Sequence, residues 1–156
     1  MITVIAVDAR QPERLQQVRA LLYQYGEERQ FDAALGNFTA ELNNLPGAYA
    51  PPAGTLLLAT LEQQPAGCIA FRSLSSHICE MKRLYVAPDF RGCGIARRLI
   101  QALLPAARKT GYTRMRLDSH PHMLAAQHLY KEFGFRQIEA YNDNPTSGIR
   151  FFEKLL

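Results

Sequence analysis

The sequence predicts an α+β domain, with about four helices flanking one mixed, mostly antiparallel sheet of seven strands. Two helical patterns near the start are followed by three strand-like runs with short connections, which is how an antiparallel meander reads. After residue 87 the order becomes helix, strand, helix and two strands, which makes the sheet mixed. With 156 residues and no repeat, low-complexity tract or linker, a single domain over 1–156 is expected, large enough to bury a core without staples.

Each element has its own signal. Residues 2–8, ITVIAVD, are apolar and β-branched and read as the first strand. Leu15, Val18, Leu21, Leu22 and Tyr25 recur at threes and fours behind Pro12, predicting an amphipathic helix over 12–29. A weaker pattern, with Phe38, Leu42 and Leu45, predicts a second helix over 31–44. LPGAYAPPAG (45–54) has too much proline and glycine for helix or central strand. The runs at 55–62 and 66–74 read as a hairpin around Gln63, Gln64 and Pro65, and 77–86 as the third strand. Ile95, Leu99, Leu103 and Ala107 mark a helix that stops at Gly111, with Pro105 expected to kink or tighten it. Residues 113–119 read as strand, 122–134 as a helix ended by Gly134, and 135–141 and 148–156 as a last strand pair.

Composition narrows the function classes. The net charge of +4 is mild, and the tightest basic cluster, Arg91, Arg97 and Arg98, occupies one short segment. A nucleic-acid binder would more often show a wider basic stripe with interleaved aromatics, so a local anionic ligand is the better account. Cys68, Cys79 and Cys93 include no C-x-x-C pair, and His120, His122 and His128 lack the acid or thiol partners of a zinc site, so no metal is expected. The odd cysteine count fits a reducing compartment. The N-terminus lacks the features of a secretory signal, and no apolar run reaches the ~18 residues of a membrane helix, so a cytoplasmic protein without membrane partners is expected.

The informative segment is LYVAPDFRGCGIARRL. A strand ends at Val86, Pro88 blocks its continuation, and Arg91, Gly92, Cys93, Gly94, Ile95 and Ala96 lead into a helix. The glycines permit a sharp turn with successive N–H groups aligned, and the helix start adds unpaired N–H groups and partial positive charge. Together they form a cradle for a diphosphate. Ala96 lets a ligand approach the backbone, and Arg91 and Arg97 add charge from the flanks. Neither G-x-G-x-x-G nor G-K-[ST] is present, so this is neither a dinucleotide fingerprint nor a nucleoside-triphosphate loop.

Taken with their order, EMKRLYVAPDFRGCGIARRL (80–99), RMRLDS (114–119) and AAQHLYKEFGF (125–135) resemble the Gcn5-related N-acetyltransferase (GNAT) superfamily. The motif likeness spans 79–141, and the element order extends it over the whole chain. The resemblance implies a GNAT-like acyl-CoA N-acyltransferase fold with acetyl-CoA as co-substrate. The CoA pyrophosphate would bind the backbone from Arg91 through Arg97. Leu84, Tyr85 and Val86, at the end of a strand that splays from its neighbour, would bond the pantetheine arm and the acetyl carbonyl, where an N–H stabilises the oxyanion. Tyr130 matches the tyrosine near the CoA sulfur that protonates the leaving thiolate; the alternative is a core tyrosine beside Leu129 and Phe133. Glu80 stands where the histone-acetylating branch carries its base; the alternatives are a surface glutamate paired with Lys82 or Arg83, and a water chain that does the work. Tyr49, Arg72, Tyr141 and Asn144, in or near the loops that cover the groove, are candidate substrate residues, or else rim packing.

The resulting expectation is direct acetyl transfer to a primary amine of a small molecule or peptide, with no metal and no covalent intermediate. Cys93 lies in the diphosphate turn, away from the thioester. An aminoglycoside ranks below a small molecule because the acids are scattered. Two other classes compete: a catalytically silent acyl-CoA-binding regulatory module, and a nucleic-acid-binding domain suggested only by the basic charge. A homodimer is common among relatives and stays open.

Overall fold

The computed structural model describes residues 1–29 and 37–156. Seven strands form one sheet in the order β1-β2-β3-β4-β5-β7-β6. They are β1 (Ile2–Ala6), β2 (Thr55–Leu61), β3 (Gln64–Ser73), β4 (Ile78–Val86), β5 (Arg114–Ser119), β6 (Arg136–Ile138) and β7 (Arg150–Leu155). Every pairing is antiparallel except β4–β5. The helices among the described residues are α1 (Pro12–Glu28), α2 (Phe38–Asn43), α3 (Ile95–Thr110) and α4 (Leu124–Glu132). The predicted α+β class and the seven-stranded mixed sheet with four helices are what the described residues form.

The sheet divides two apolar cores. On one face, α3 lays Ile95, Leu99, Ile100, Leu103 and Ala107 against Ile69, Phe71, Met81 and Met115, and α4 adds Tyr130 near Phe135 and Phe152. On the other, α1 packs Leu15, Val18, Leu21 and Leu22 with Phe38 and Leu42 of α2 over Leu56, Leu58, Cys68 and Tyr85. Cys68 and Cys79 are buried, and burial pushes both thiols up to about 12, which leaves them inert at neutral pH.

Several boundaries differ from the sequence reading, each for a local reason. The β2–β3 turn is tighter than predicted: Glu62 and Gln63 both take left-handed φ (48° and 68°), the two-residue geometry that matches strand twist, so β3 begins at Gln64. Part of the predicted helix over 31–44 lies outside the described residues; α2 itself covers only Phe38–Asn43. The predicted strand over 135–141 pairs for only three residues, because Tyr141 leaves the sheet to bond Glu80 and stack edge-on against Phe151 at 5.3 Å. Helix α3 continues past Pro105, which sits on its exposed face, where solvent can take the carbonyl left without a partner. Both α3 and α4 end as predicted at glycines in left-handed conformation. Tyr112 N–H reaches Ala107 O at 3.2 Å and Phe135 N–H reaches Tyr130 O at 3.0 Å, the closing bonds of Schellman caps.

The feature that makes the site lies in β4. Cys68 faces Tyr85 and Ala70 faces Lys82, so Ile69 alone is opposed by both Arg83 and Leu84. This bulge holds Arg83 at φ 63° and resets the alternation. Before it, Cys79 and Met81 face the α3 core; after it, Leu84 and Val86 do. The Cys68 thiol donates to the bulge carbonyl of Arg83 at 3.5 Å. From α2, Glu41 grips the Arg83 guanidinium with both oxygens, at 2.7 and 2.8 Å. Just before the bulge β4 leaves β5: their ladder covers only Ile78–Arg114, Cys79–Met115 and Glu80–Arg116, and the strands then part.

Candidate active site

Two adjoining cavities with shared lining residues lie at the gap between β4 and β5. The larger, about 1040 Å³, runs along the end of β4 and the start of α3, and the start of α4 forms its opposite wall. Its lining includes Leu84, Tyr85, Val86, Arg91, Gly92, Gly94, Ile95, Ala96 and Arg97. Nine of the ten residues expected to hold the co-substrate therefore lie together on one cleft. The tenth, Cys93, is exposed in the same turn but is not part of the lining.

The turn has the form a diphosphate needs. Gly92 and Gly94 take φ of 80° and 83°, a region closed to most side chains, and a Cβ at either would meet nothing within 4 Å. The backbone there faces open space. Gly94 caps α3 without a side-chain acceptor, so the first N–H groups of the helix point into the cleft unpaired. Arg91 and Arg97 flank the turn. Arg91 donates to Val86 O at 2.9 Å and pairs with Glu28 at 3.0 Å, while Arg97 pairs with Glu132 at 2.6 Å. These pairs are half exposed and therefore weak, so both guanidiniums can turn to a phosphate at little cost.

The smaller cavity, about 70 Å³, lies deeper in the split and shares Tyr25, Arg29, Leu84, His120 and Met123 with the cleft. Tyr130 lines it, packed beside Phe135 and Phe152 with ring centroids at 5.8 and 6.1 Å. Its hydroxyl makes no hydrogen bond among the described residues, and burial raises the phenol above its ordinary value, which keeps it protonated. Asn144 lines the cavity as well and donates to Asp118 Oδ2 at 3.2 Å.

The remaining candidates sit elsewhere. Glu80 is buried and lines neither cavity. One oxygen accepts from Arg72 Nε at 2.9 Å and the other from Tyr141 Oη at 2.5 Å, so its partners are Arg72 and Tyr141 in place of Lys82 or Arg83. Three residues chosen separately thus form one cluster beside the cavity. Tyr49 is buried in the α1–α2 core next to Glu41, and burial raises its phenol too.

Lining residues that escaped the sequence reading include Lys82, Asp118, Ser119 and His120. Buried Gln127 fixes this corner, donating to Ser119 Oγ at 3.3 Å and to His120 O at 2.9 Å. RMRLDSH does alternate, which puts Asp118 on the face opposite Leu117, but only the departure of β4 shows that this face borders a hole. Among the described residues no three His, Cys, Asp or Glu side chains are grouped to hold a metal, and no helix is long and apolar enough to cross a membrane.

Comparison with known proteins agrees with this geometry. The model of the acetyltransferase (GNAT) family matches residues 14–135. A Schizosaccharomyces pombe protein named as an uncharacterized N-acetyltransferase is 36% identical over 140 residues, covering 88% of this chain and 86% of its own. An acetyltransferase of Streptococcus agalactiae superposes with a TM-score of 0.79 at 21% identity, over 99% of this chain and 98% of that one. A Salmonella typhimurium protein solved with its cofactor acetyl-CoA superposes with a TM-score of 0.70 at 19% identity, over 99% and 93%. Bulge, split strands, glycine turn and sequence kinship lead to one assignment: this chain is an acetyltransferase and belongs to the GNAT family.

Proposed function

We propose that the protein transfers an acetyl group from acetyl-CoA directly to a primary amine. The observation that carries this reading is the shared wall of the two cavities. A long cleft starting at a glycine turn and helix N-terminus meets a small chamber at Leu84, with a buried tyrosine in its wall. The cleft suits a long anionic co-substrate, and the acetyl-CoA bound to the Salmonella relative of like fold supports its identity.

In this reading the diphosphate lies on the N–H groups from Gly92 to Arg97, and the pantetheine arm runs beside Leu84, Tyr85 and Val86. The free amine attacks the thioester carbonyl from the small chamber. The new C–N bond forms, the C–S bond breaks, and the thiolate takes the Tyr130 proton. The nitrogen gives its surplus proton to water, which restores the phenol. Glu80, with both oxygens engaged, holds Arg72 and Tyr141 in place; the proton route runs through water. Transfer needs two substrates side by side, and two adjoining cavities support turnover over a silent acyl-CoA-binding module.

Calorimetric titration with acetyl-CoA, using free CoA and ATP as controls, tests the cleft. Micromolar binding of the CoA species alone is expected, followed by amine-dependent thiol release. Gly94→Leu should abolish that binding, since its side chain would project into open cleft, at some cost in stability from the left-handed φ, with retained folding checked by circular dichroism. Unchanged affinity in that variant would reject the cradle.

A further inference from the structure

On the face of the sheet that borders the split, four arginines are paired with three carboxylates. Arg72 pairs with Glu80 at 2.9 Å, Arg83 with Glu41 at 2.7 Å, and Arg114 and Arg116 share Glu153 at 3.0 and 2.7 Å. Lys82 has no ion pair among the described residues. It stands on β4 immediately before the bulge, half-buried, and lines the small chamber. Burial lowers its pKa, as expected for an ammonium stripped of water without a full partner.

Across the split, Asp118 stands on β5. The register that pairs Glu80 with Arg116 would bring Lys82 and Asp118 side by side, but the strands part first, and no ion pair joins them. The two charges face the chamber from opposite lips. Among the described residues the side-chain bonds to Asp118, from Asn142 Nδ2 at 2.9 Å and Asn144 Nδ2 at 3.2 Å, fall on Oδ2, and Oδ1 accepts none. The other charged groups lining the chamber are Arg29 and Arg83, so its walls carry three cations and one carboxylate.

Resting on the acetyltransferase reading above, we propose that the acceptor is a small α-amino acid, its carboxylate held by Lys82 and its amino group by Asp118. The charge pattern favours it: a zwitterion presents its carboxylate to Lys82 and its ammonium to Asp118, the one carboxylate of the lining, the two groups being joined through a single carbon. A polyamine or aminoglycoside would bring further positive charge into an already cationic chamber. Size agrees, since 70 Å³ admits roughly five water-sized groups. Asp118 draws the ammonium to the lip nearest Ser119 and His120, where it faces the thioester end of the cleft, and releases the amine once its proton has gone to water.

The test uses the full chain with acetyl-CoA and thiol release as the readout, comparing each standard L-amino acid with its carboxamide. One or more acids should react and their amides should not. Lys82→Met should raise KM for the reactive acid about tenfold or more and remove the preference for acid over amide. Acetyl-CoA affinity should hold, because Lys82 does not line the cleft. Lys82→Arg should keep the preference. Amides reacting as well as acids, or a preference that survives Lys82→Met with acetyl-CoA bound, would overturn the amino-acid acceptor while leaving the acetyltransferase reading in place. Acetyl-CoA binding without transfer to any acid overturns it equally. Loss of acetyl-CoA binding in the wild type instead removes the cleft assignment, and the acceptor with it.

Discussion

A proton donor to a thiolate must be protonated at working pH, lie near the sulfur and have no stronger partner, and Tyr130 has the first and last of these. Its phenol is raised by burial and has no hydrogen-bond partner among the described residues. On the reading proposed above, Tyr130→Phe lowers kcat by roughly 10²-fold with acetyl-CoA affinity unchanged. Equal rates at neutral pH would make Tyr130 a packing aromatic, which its contacts with Phe135 and Phe152 would equally serve. The glycine turn and LYKEFGF were legible in sequence because their chemistry is local. The cluster of Arg72, Glu80 and Tyr141 was legible only as separate residues, since Tyr141 lies 61 positions from its partner. Lys82 and Asp118 escaped because their meaning is relational: one cation lacking an acid, and one acid across a gap.

Among the elements, α2 is short and weakly patterned, yet Glu41 on it clamps the guanidinium that stabilises the bulge. Burial opposes the charged form of Glu41, but the bonds and charge of Arg83 outweigh it and hold the carboxyl below its ordinary 4.5. A depressed folded-state value means that this contribution is complete above pH 4.5 and disappears as pH falls through the lower folded value. Glu41→Gln should therefore cost about 2 kcal/mol at neutral pH and much less in strong acid, as read by urea unfolding. A cost that does not change with pH would mean that the clamp acts through packing alone. The bulge left a mark in the sequence. In CEMKRLYV the positions facing the α3 core change from odd (Cys79, Met81) to even (Leu84, Val86) across Lys82–Arg83, and a change of phase is what an extra residue in a strand produces. Strand ends were less legible, because the β2–β3 turn and the departure of Tyr141 depend on φ choices and distant partners.

For the molecule as a whole, the co-substrate would touch both halves of the sheet and the starts of two helices, and only the folded chain assembles those parts. Acetyl-CoA at a hundred times its Kd should then stabilise the fold by about 2.7 kcal/mol, which for a chain of this length raises Tm by about 5–10 °C. ATP, lacking the pantetheine arm, should leave Tm nearly unchanged, and an equal shift with ATP would reduce the cleft to a general phosphate site. The three-rung ladder between β4 and β5 has one more consequence. A strand at the rim of a sheet exposes unpaired amides that invite another chain to add on, and proteins guard such rims with charge and covering loops. Here two such rims lie inside the sheet, where no neighbouring protein can reach them edge to edge. The loop carrying Asn142 and Asn144 and the charges of Lys82 and Asp118 stand where an ordinary rim keeps its gatekeepers. Opening the sheet from within gives the enzyme a backbone willing to bond a ligand without the aggregation hazard of an outer edge.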